Sequence, residues 1–253
     1  MRTNIVSFTA TTLILYLYAT MAYSTPSAVS DKPNFKNISN TQEKKQTFID
    51  YLNPFITEVA LEVTKNRQFL QTLNQKISDA KPLSTTDQRL LQQLALEYKV
   101  TIDSSNYKAS INELLTKVNI VPAGLVLAQA AIESGWGTSR FAEVGNNYFG
   151  QHCFTKGCGI VPKQRGKGQI FEVQRFNSPK ESIAAYYKLL NTGSQFTEFR
   201  ALRHKLSKSN NYFSGKPLVD TLDNYSELTG NDYQKRVLAT INYNNLCQYN
   251  PKV

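Results

Sequence analysis

Histidine is nearly absent from this chain: His152 and His204 are the only two in 253 residues, beside three cysteines, Cys153, Cys158 and Cys247. A zinc site would need His152, Cys153 and Cys158 to converge with a fourth ligand, and the two cysteines stand at the wide edge of zinc spacing. No metal and no cofactor is therefore expected. Internal repeats and low-complexity tracts are missing too, which excludes a repeat architecture. Acid is missing where base is dense: Cys153–Ile170 carries Lys156, Lys163, Arg165 and Lys167 but no Asp or Glu. Tryptophan occurs once, as Trp136.

Long apolar runs are scarce, with one exception at the N-terminus. Ile5–Met21 is largely apolar, follows the basic Arg2, and ends in Ala22-Tyr23-Ser24. This is the pattern of a secretory signal cleaved after Ser24, residues 1–24. The run is short for a spanning helix, and an uncleaved inner-membrane anchor is the alternative. No cysteine follows it, which argues against a lipoprotein. The chain is thus expected in the periplasm or cell envelope, as a monomer with no stable membrane insertion once the signal is removed. In that oxidising compartment a Cys153–Cys158 disulfide is favoured over metal, leaving Cys247 as an odd thiol.

Removing Met1–Ser24, which holds one Arg and no acid, lowers the net charge only from +10 to +9. Such a balance suits a polyanionic partner in the envelope, and equally serves general solubility. The basic residues are dispersed and the chain is exported, so no nucleic-acid partner is expected.

Thr25–Asn40, rich in Ser, Asn, Pro and Lys, reads as a linker over residues 25–40. An N-terminal helical region is expected over 41–106. There Phe48, Tyr51, Leu52, Phe55 and Ile56 recur at helical spacing and Val59, Val63, Phe69, Leu70 and Leu73 continue it. Pro54 should kink this helix or split it in two. Ser84-Thr85-Thr86-Asp87 offers caps for a helix through Leu90–Leu96, and Ile111–Val118 marks another. Pro122 opens Ala123–Ser134, a helix so apolar, with Gln129 as its one interruption, that most of its sides must be buried. Asn147–Phe176 reads as a small β-hairpin lobe whose one clear strand is Ile170–Phe176. Helices then resume over Pro179–Leu190, Thr197–Leu206, Leu218–Leu222 and Asp232–Leu246. The expected class is mainly α (α+β).

Chemistry concentrates in Glu133-Ser134-Gly135-Trp136-Gly137. Glu133 ends the most apolar helix, so desolvation and the negative end of the helix dipole should both raise its pKa. A carboxyl that stays protonated near neutral pH can protonate the leaving oxygen of a glycosidic bond. Gly135 and Gly137 permit a sharp turn and close backbone approach. Trp136 can offer an apolar face to a sugar ring. The competing reading is structural: Glu133 paired with an arginine such as Arg140, and Trp136 in the core.

Two longer motifs bear on that choice. Ala131–Gly137 followed by Gly145-Asn146-Asn147-Tyr148-Phe149-Gly150 resembles the signature of glucosaminidase domains of glycoside hydrolase family 73. Gln151–Gly159, with Phe176, Pro179, Glu181 and Ser182, resembles its Bax-type branch of bacterial envelope proteins. The resemblance implies a lysozyme-like helical domain over 107–253 with a β-lobe beside the cleft. It also implies hydrolysis of the β-1,4 bond after N-acetylglucosamine, with peptidoglycan glycan strands as partner. Residue by residue, Glu133 matches the general acid, while Asn147 and Phe149, with Trp136 and Gln151, become expected substrate-binding residues. Asn224-Tyr225 followed by Gly230-Asn231-Asp232-Tyr233 resembles the family's tyrosine segment, which makes Tyr225 a candidate beside the acetamido group or the attacking water. A core or capping role is the other reading for Tyr225.

The lobe departs from many relatives, because the second acid expected there is missing and Glu172 is the only acid nearby. Two-carboxyl schemes need a second group. The expectation is therefore substrate assistance, the 2-acetamido carbonyl acting as internal nucleophile. A lytic transglycosylase is the closest enzymatic alternative, and a non-catalytic peptidoglycan-binding scaffold the alternative from another class.

Overall fold

The computed structural model describes residues 31–207, 214–225 and 231–250. The expected signal over residues 1–24 lies outside them. Among the described residues no helix is long and apolar enough to cross a membrane.

Helix α1, Thr41–Ser78, starts where the Asn40 side chain accepts from the amides of Gln42 (2.9 Å) and Glu43 (3.0 Å). It runs unbroken for 38 residues, so Pro54 does not split it. A proline inside a helix costs about 3 kcal/mol, and the packing here offsets that. Tyr51, Leu52, Phe55 and Ile56 on either side of it are all buried. The carbonyl that loses its partner belongs to Asp50, which faces solvent. Helix α2, Thr85–Glu97, starts in the stretch expected to cap it, and the cap is a capping box: Ser84 and Asp87 exchange side-chain-to-backbone bonds at 3.1 and 3.0 Å. Lys76 then pairs with Asp87 at 2.8 Å and ties α2 to α1.

Helix α3, Tyr107–Lys117, ends against two arginines. Arg67 from α1 donates to the carbonyls of Leu115 and Val118. Arg203, fully buried, reaches the carbonyls of Thr116, Lys117, Asn119 and Ile120 and the side chain of Asn191. These donors satisfy carbonyls that a helix end leaves without partners. Helix α4, Ala123–Ser134, is buried along nearly its whole length, as its composition requires.

Short helix α5, Arg140–Gly145, leads into the lobe. The lobe is a three-stranded antiparallel sheet, not a simple hairpin: β1 (His152–Cys153) and β2 (Gly159–Ile160) flank β3 (Glu172–Gln174). Val173 stands opposite His152 on one side and Ile160 on the other. Gly159 is held so near the Val173 carbonyl that a Cβ there would lie 2.1 Å from its oxygen. Cys153 and Cys158 are disulfide-bonded, and His152 stacks on Phe171. Among the described residues no group of three or more His, Cys, Asp or Glu could hold a metal. Cys247 is a free, half-buried thiol.

Helices α6 (Pro179–Thr192), α7 (Thr197–Ser207) and α8 (Asp232–Tyr243) complete the fold. The expected Leu218–Leu222 helix is a 3-10 turn over Lys216–Thr221, and Leu246–Tyr249 forms another after α8. One hydrophobic core runs from Phe35 through α1 to Leu246, so the N-terminal helices share it with the rest.

The stretch expected as a linker is anchored from Lys32 onward. Lys32 donates to the carbonyls of Ala142 and Glu143 and to the side chain of Asn146, closing the end of α5. Phe35 is 2% exposed and packs edge-on against Phe48 and Tyr51. One buried aromatic outweighs the polar composition around it.

Candidate active site

Glu133 stands at the end of α4, where the chain reverses through three left-handed residues: Gly135 (φ 57°), Trp136 (φ 57°) and Gly137 (φ 79°). Trp136 is the unusual one, since the left-handed region costs a non-glycine residue roughly 1–2 kcal/mol. Ser134 holds the turn: its hydroxyl donates to the Ala130 carbonyl (2.6 Å) and accepts from the Gly137 amide (2.9 Å). Gly137 admits no side chain, because a Cβ would lie 2.5 Å from the Phe35 ring. The anchored N-terminal stretch thus forms the floor of the turn that presents Glu133.

Burial is the main influence on Glu133 and raises its pKa; a hydrogen bond from Tyr233 and the charge of Arg236 pull the other way. The expected raised carboxyl is therefore present, with desolvation as its cause. Arg140 instead approaches the Val161 carbonyl at 3.4 Å, so the pairing with Arg140 does not form, and Arg236 is the arginine whose charge reaches Glu133.

Behind Glu133 runs a directed chain of hydrogen bonds. Tyr186 donates to Gln129 Oε1 (2.5 Å), Gln129 Nε2 donates to Tyr233 (2.8 Å), and Tyr233 donates to Glu133 Oε1 (2.9 Å). Every donor points toward the acid, which fixes its carboxyl in one orientation. Burial raises the Tyr233 pKa, so the phenol stays protonated and remains a donor. Tyr233 and Gln129 were not among the expected site residues. One signal existed: a lone glutamine in an apolar helix must find buried partners.

Tyr225 joins this group. Its ring stacks on Tyr233 at 5.7 Å and meets Tyr186 edge-on at 6.1 Å. Its buried hydroxyl has no protein partner, and its pKa is raised by burial, with Tyr233 and Glu133 as lesser causes. It is a neutral phenol beside the acid with its proton uncommitted.

The other expected residues behave differently. Asn147 is 1% exposed, donates to the carbonyls of Gln151 and Gln174, and accepts from the amides of Phe149 and Gln151. Its amide is thus fully engaged in holding the loop onto β3. Phe149 is buried and stacks on Tyr186 at 4.2 Å, behind the site. Gln151 is half-buried and tied to Ser182 at the start of α6. Trp136 is half-buried with Phe48 against its edge and the Lys45 ammonium 5.0 Å over its ring.

Glu172 is not poised as a second acid. One oxygen accepts from the Gly157 amide (3.0 Å) and the other from the Gly159 amide (2.8 Å), which pulls its pKa down. It holds the disulfide loop onto the sheet.

Comparison with known proteins decides the family. The family model for mannosyl-glycoprotein endo-β-N-acetylglucosaminidase matches residues 108–246. The chain belongs to the glucosaminidase family. Protein bax of Escherichia coli (strain K12) is 31% identical over 218 residues, covering 86% of this chain and 76% of that protein. The catalytic domain of the autolysin Auto from Listeria monocytogenes shares 20% identity over 71% of this chain and 96% of its own, with a TM-score of 0.39. In this glucosaminidase the matched region begins one residue into α3 and contains Glu133, Tyr225 and Tyr233. As a family member the chain is a glycoside hydrolase.

Proposed function

We propose that this glucosaminidase is an exported peptidoglycan hydrolase that cuts the β-1,4 bond after N-acetylglucosamine with Glu133 as general acid. The observation that carries the reading is the contrast between the two carboxyls. Glu133 is half-buried, raised in pKa and oriented by Tyr233, whereas both oxygens of Glu172 are held by backbone amides. The site thus offers one proton donor and no evident second carboxylate. The substrate's own acetamido group fills that role. Its carbonyl oxygen attacks C1 as the glycosidic bond breaks, and the leaving oxygen takes the proton from Glu133. Water then opens the cyclic intermediate at C1 and returns a proton to the Glu133 carboxylate. Tyr225, with its hydroxyl uncommitted, is suited to hold the acetamido oxygen or the attacking water.

Export and envelope action fit the cell-wall family and the apolar start of the chain. A glycan whose 2-acetamido groups are replaced by trifluoroacetamido tests the assistance step. Electron withdrawal weakens the internal nucleophile, so turnover should fall steeply with fluorination. A rate unchanged by fluorination would require an enzymatic nucleophile or a directly attacking water instead.

A further inference from the structure

One cation near Glu133 is held by aromatic rings where a carboxylate would be the usual partner. The ammonium of Lys45, near the start of α1, lies 5.0 Å from the centre of the Trp136 ring and 4.7 Å from that of Tyr243. Among the described residues Lys45 forms no ion pair and donates no hydrogen bond. The nearest acids along α1, Glu43 and Asp50, stand two and five residues away on other faces of the helix. Asp50 is already used, accepting from Gln46 at 2.8 Å. Ring faces attract the charge of Lys45 but leave its three N–H donors without a protein oxygen to accept them.

Three links place this group at the edge of the candidate site. Trp136 follows Glu133 by three residues in one turn, so their Cα atoms lie within about 11 Å. Arg236 of α8 is the arginine whose charge reaches Glu133. Tyr243 ends the same helix seven residues later, about 10 Å along its axis and on the same face. Both Arg236 and Tyr243 are exposed, Tyr243 at 81%. Since Trp136 and Tyr243 meet at one ammonium, the five residues border one patch, with an open aromatic ring and two cations beside the acid.

We propose that Lys45 binds a carboxylate carried by the muramic acid unit of the glycan, and so selects acidic wall strands over neutral N-acetylglucosamine polymers. This rests on the peptidoglycan reading above. If the bond after N-acetylglucosamine is cut, the next sugar is muramic acid, and an acid group stands one ring from Glu133 in each productive complex. A carboxylate supplies charge and acceptors to an ammonium whose donors are unspent. A neutral polymer supplies only hydroxyls and amides. The Tyr243 ring forms the apolar wall of the contact. Lys45 lies outside the matched residues 108–246, so this selectivity belongs to the N-terminal region. Two sources carry the chemistry: the lactyl carboxylate of a peptide-free strand, and the carboxylates of an attached stem peptide.

The test is calorimetric titration of the full chain carrying Glu133→Gln with two pairs of soluble glycan strands. One pair is peptide-free and the other keeps its stem peptides; within each, the carboxylates are free or converted to methyl amides. The free acid of at least one pair should bind about fivefold or more tightly than its amide twin at low ionic strength, above the usual yield of an exposed ion pair. The pair showing the preference identifies the source. Adding Lys45→Met should bring that preference to near unity while the amide twin binds as before, which a merely structural lysine or a misfolded variant would not do. Lys45→Arg should keep most of it. Equal binding of acid and amide, binding of neither, or a preference surviving Lys45→Met would each overturn the proposal. Wall cleavage by the wild type is measured separately. Its absence, with the Lys45-dependent preference intact, would undo the catalytic reading and leave this site standing.

Discussion

Tyr233→Phe removes one oxygen from the chain of hydrogen bonds that ends on Glu133, and its effects separate cleanly. The lost bond is 2.9 Å long and goes to a carboxyl that burial already pushes toward its neutral form. Tyr233 donates to the charged form and so holds the pKa down; without it the pKa must rise further. A bond to a charged group is worth about 1.5–3 kcal/mol, and each 1.36 kcal/mol corresponds to about one pH unit. A general acid works only while protonated, so the alkaline limb of the kcat profile should move upward by about one unit or more. The same change leaves Gln129 Nε2 without its partner in a fully buried position. That costs about 1–3 kcal/mol, or roughly 2–4 °C of Tm per kcal/mol in a chain of this size. Tyr186→Phe is the control, because it keeps the ring and removes only the hydroxyl that donates to Gln129 at the far end of the chain. It should lower Tm comparably while moving the alkaline limb far less. The assays are calorimetry and initial rates on solubilised peptidoglycan from pH 4 to 9. A Tyr233→Phe enzyme with reduced Tm and an unshifted alkaline limb would refute the orienting role.

Glu133 should also be a stability liability. Its pKa is raised in the fold, so the unfolded chain loses the proton first, and stability contributed at low pH disappears as pH rises toward the folded value. Glu133→Gln should therefore unfold at higher temperature than wild type near pH 7, with the gap closing near pH 4; a constant gap across that range would refute it. Arg203→Met should cost at least about 1–3 kcal/mol, the range for leaving buried acceptors unsatisfied, because it strips donors from the end of α3. Arg203→Lys should recover little of this in chemical denaturation, since an ammonium lacks the planar fork; full recovery would mean that charge alone suffices. Phe35→Ala should cost about 3–5 kcal/mol as a large core truncation. It should also lower kcat by loosening the Gly137 turn above it, and a stability loss with kcat unchanged would make Phe35 structural only.

The fold was most readable where local chemistry and packing agree. Helix α4 announced itself through a run too apolar to face water, bounded by Pro122 and Gly135, and the capping residues Ser84–Asp87 marked the region where α2 begins. Reading failed where tertiary packing overrode composition. Pro54 carries a local penalty that sequence shows, while the burial offsetting it comes from helices far along the chain. Lys32 and Phe35 sit in a polar stretch, and their partners lie more than a hundred residues away for Lys32 and across α1 for Phe35. The strands of the lobe span only two or three residues, too few for any alternation to register.

The raised pKa of Glu133 was legible because a carboxyl ending an apolar helix is anomalous on its own. Its orienting partner was not, because Tyr233 is a hundred residues distant and tyrosine is equally at home in a core. Asn147 illustrates how packing partners escape sequence reading. A polar residue in a family motif invites a ligand-binding role, yet its four hydrogen bonds all close on its own loop and β3.

The central claim is that Glu133 protonates a leaving oxygen after N-acetylglucosamine and that the bond is then hydrolysed. Mass spectrometry of peptidoglycan digested by residues 25–253, wild type beside Glu133→Gln, tests this most directly. Reducing N-acetylglucosamine ends in the wild-type digest that vanish in the variant are the predicted result. Anhydro-muramic ends would make the enzyme a transglycosylase, and reducing ends that persist with Glu133→Gln would remove Glu133 from the chemistry.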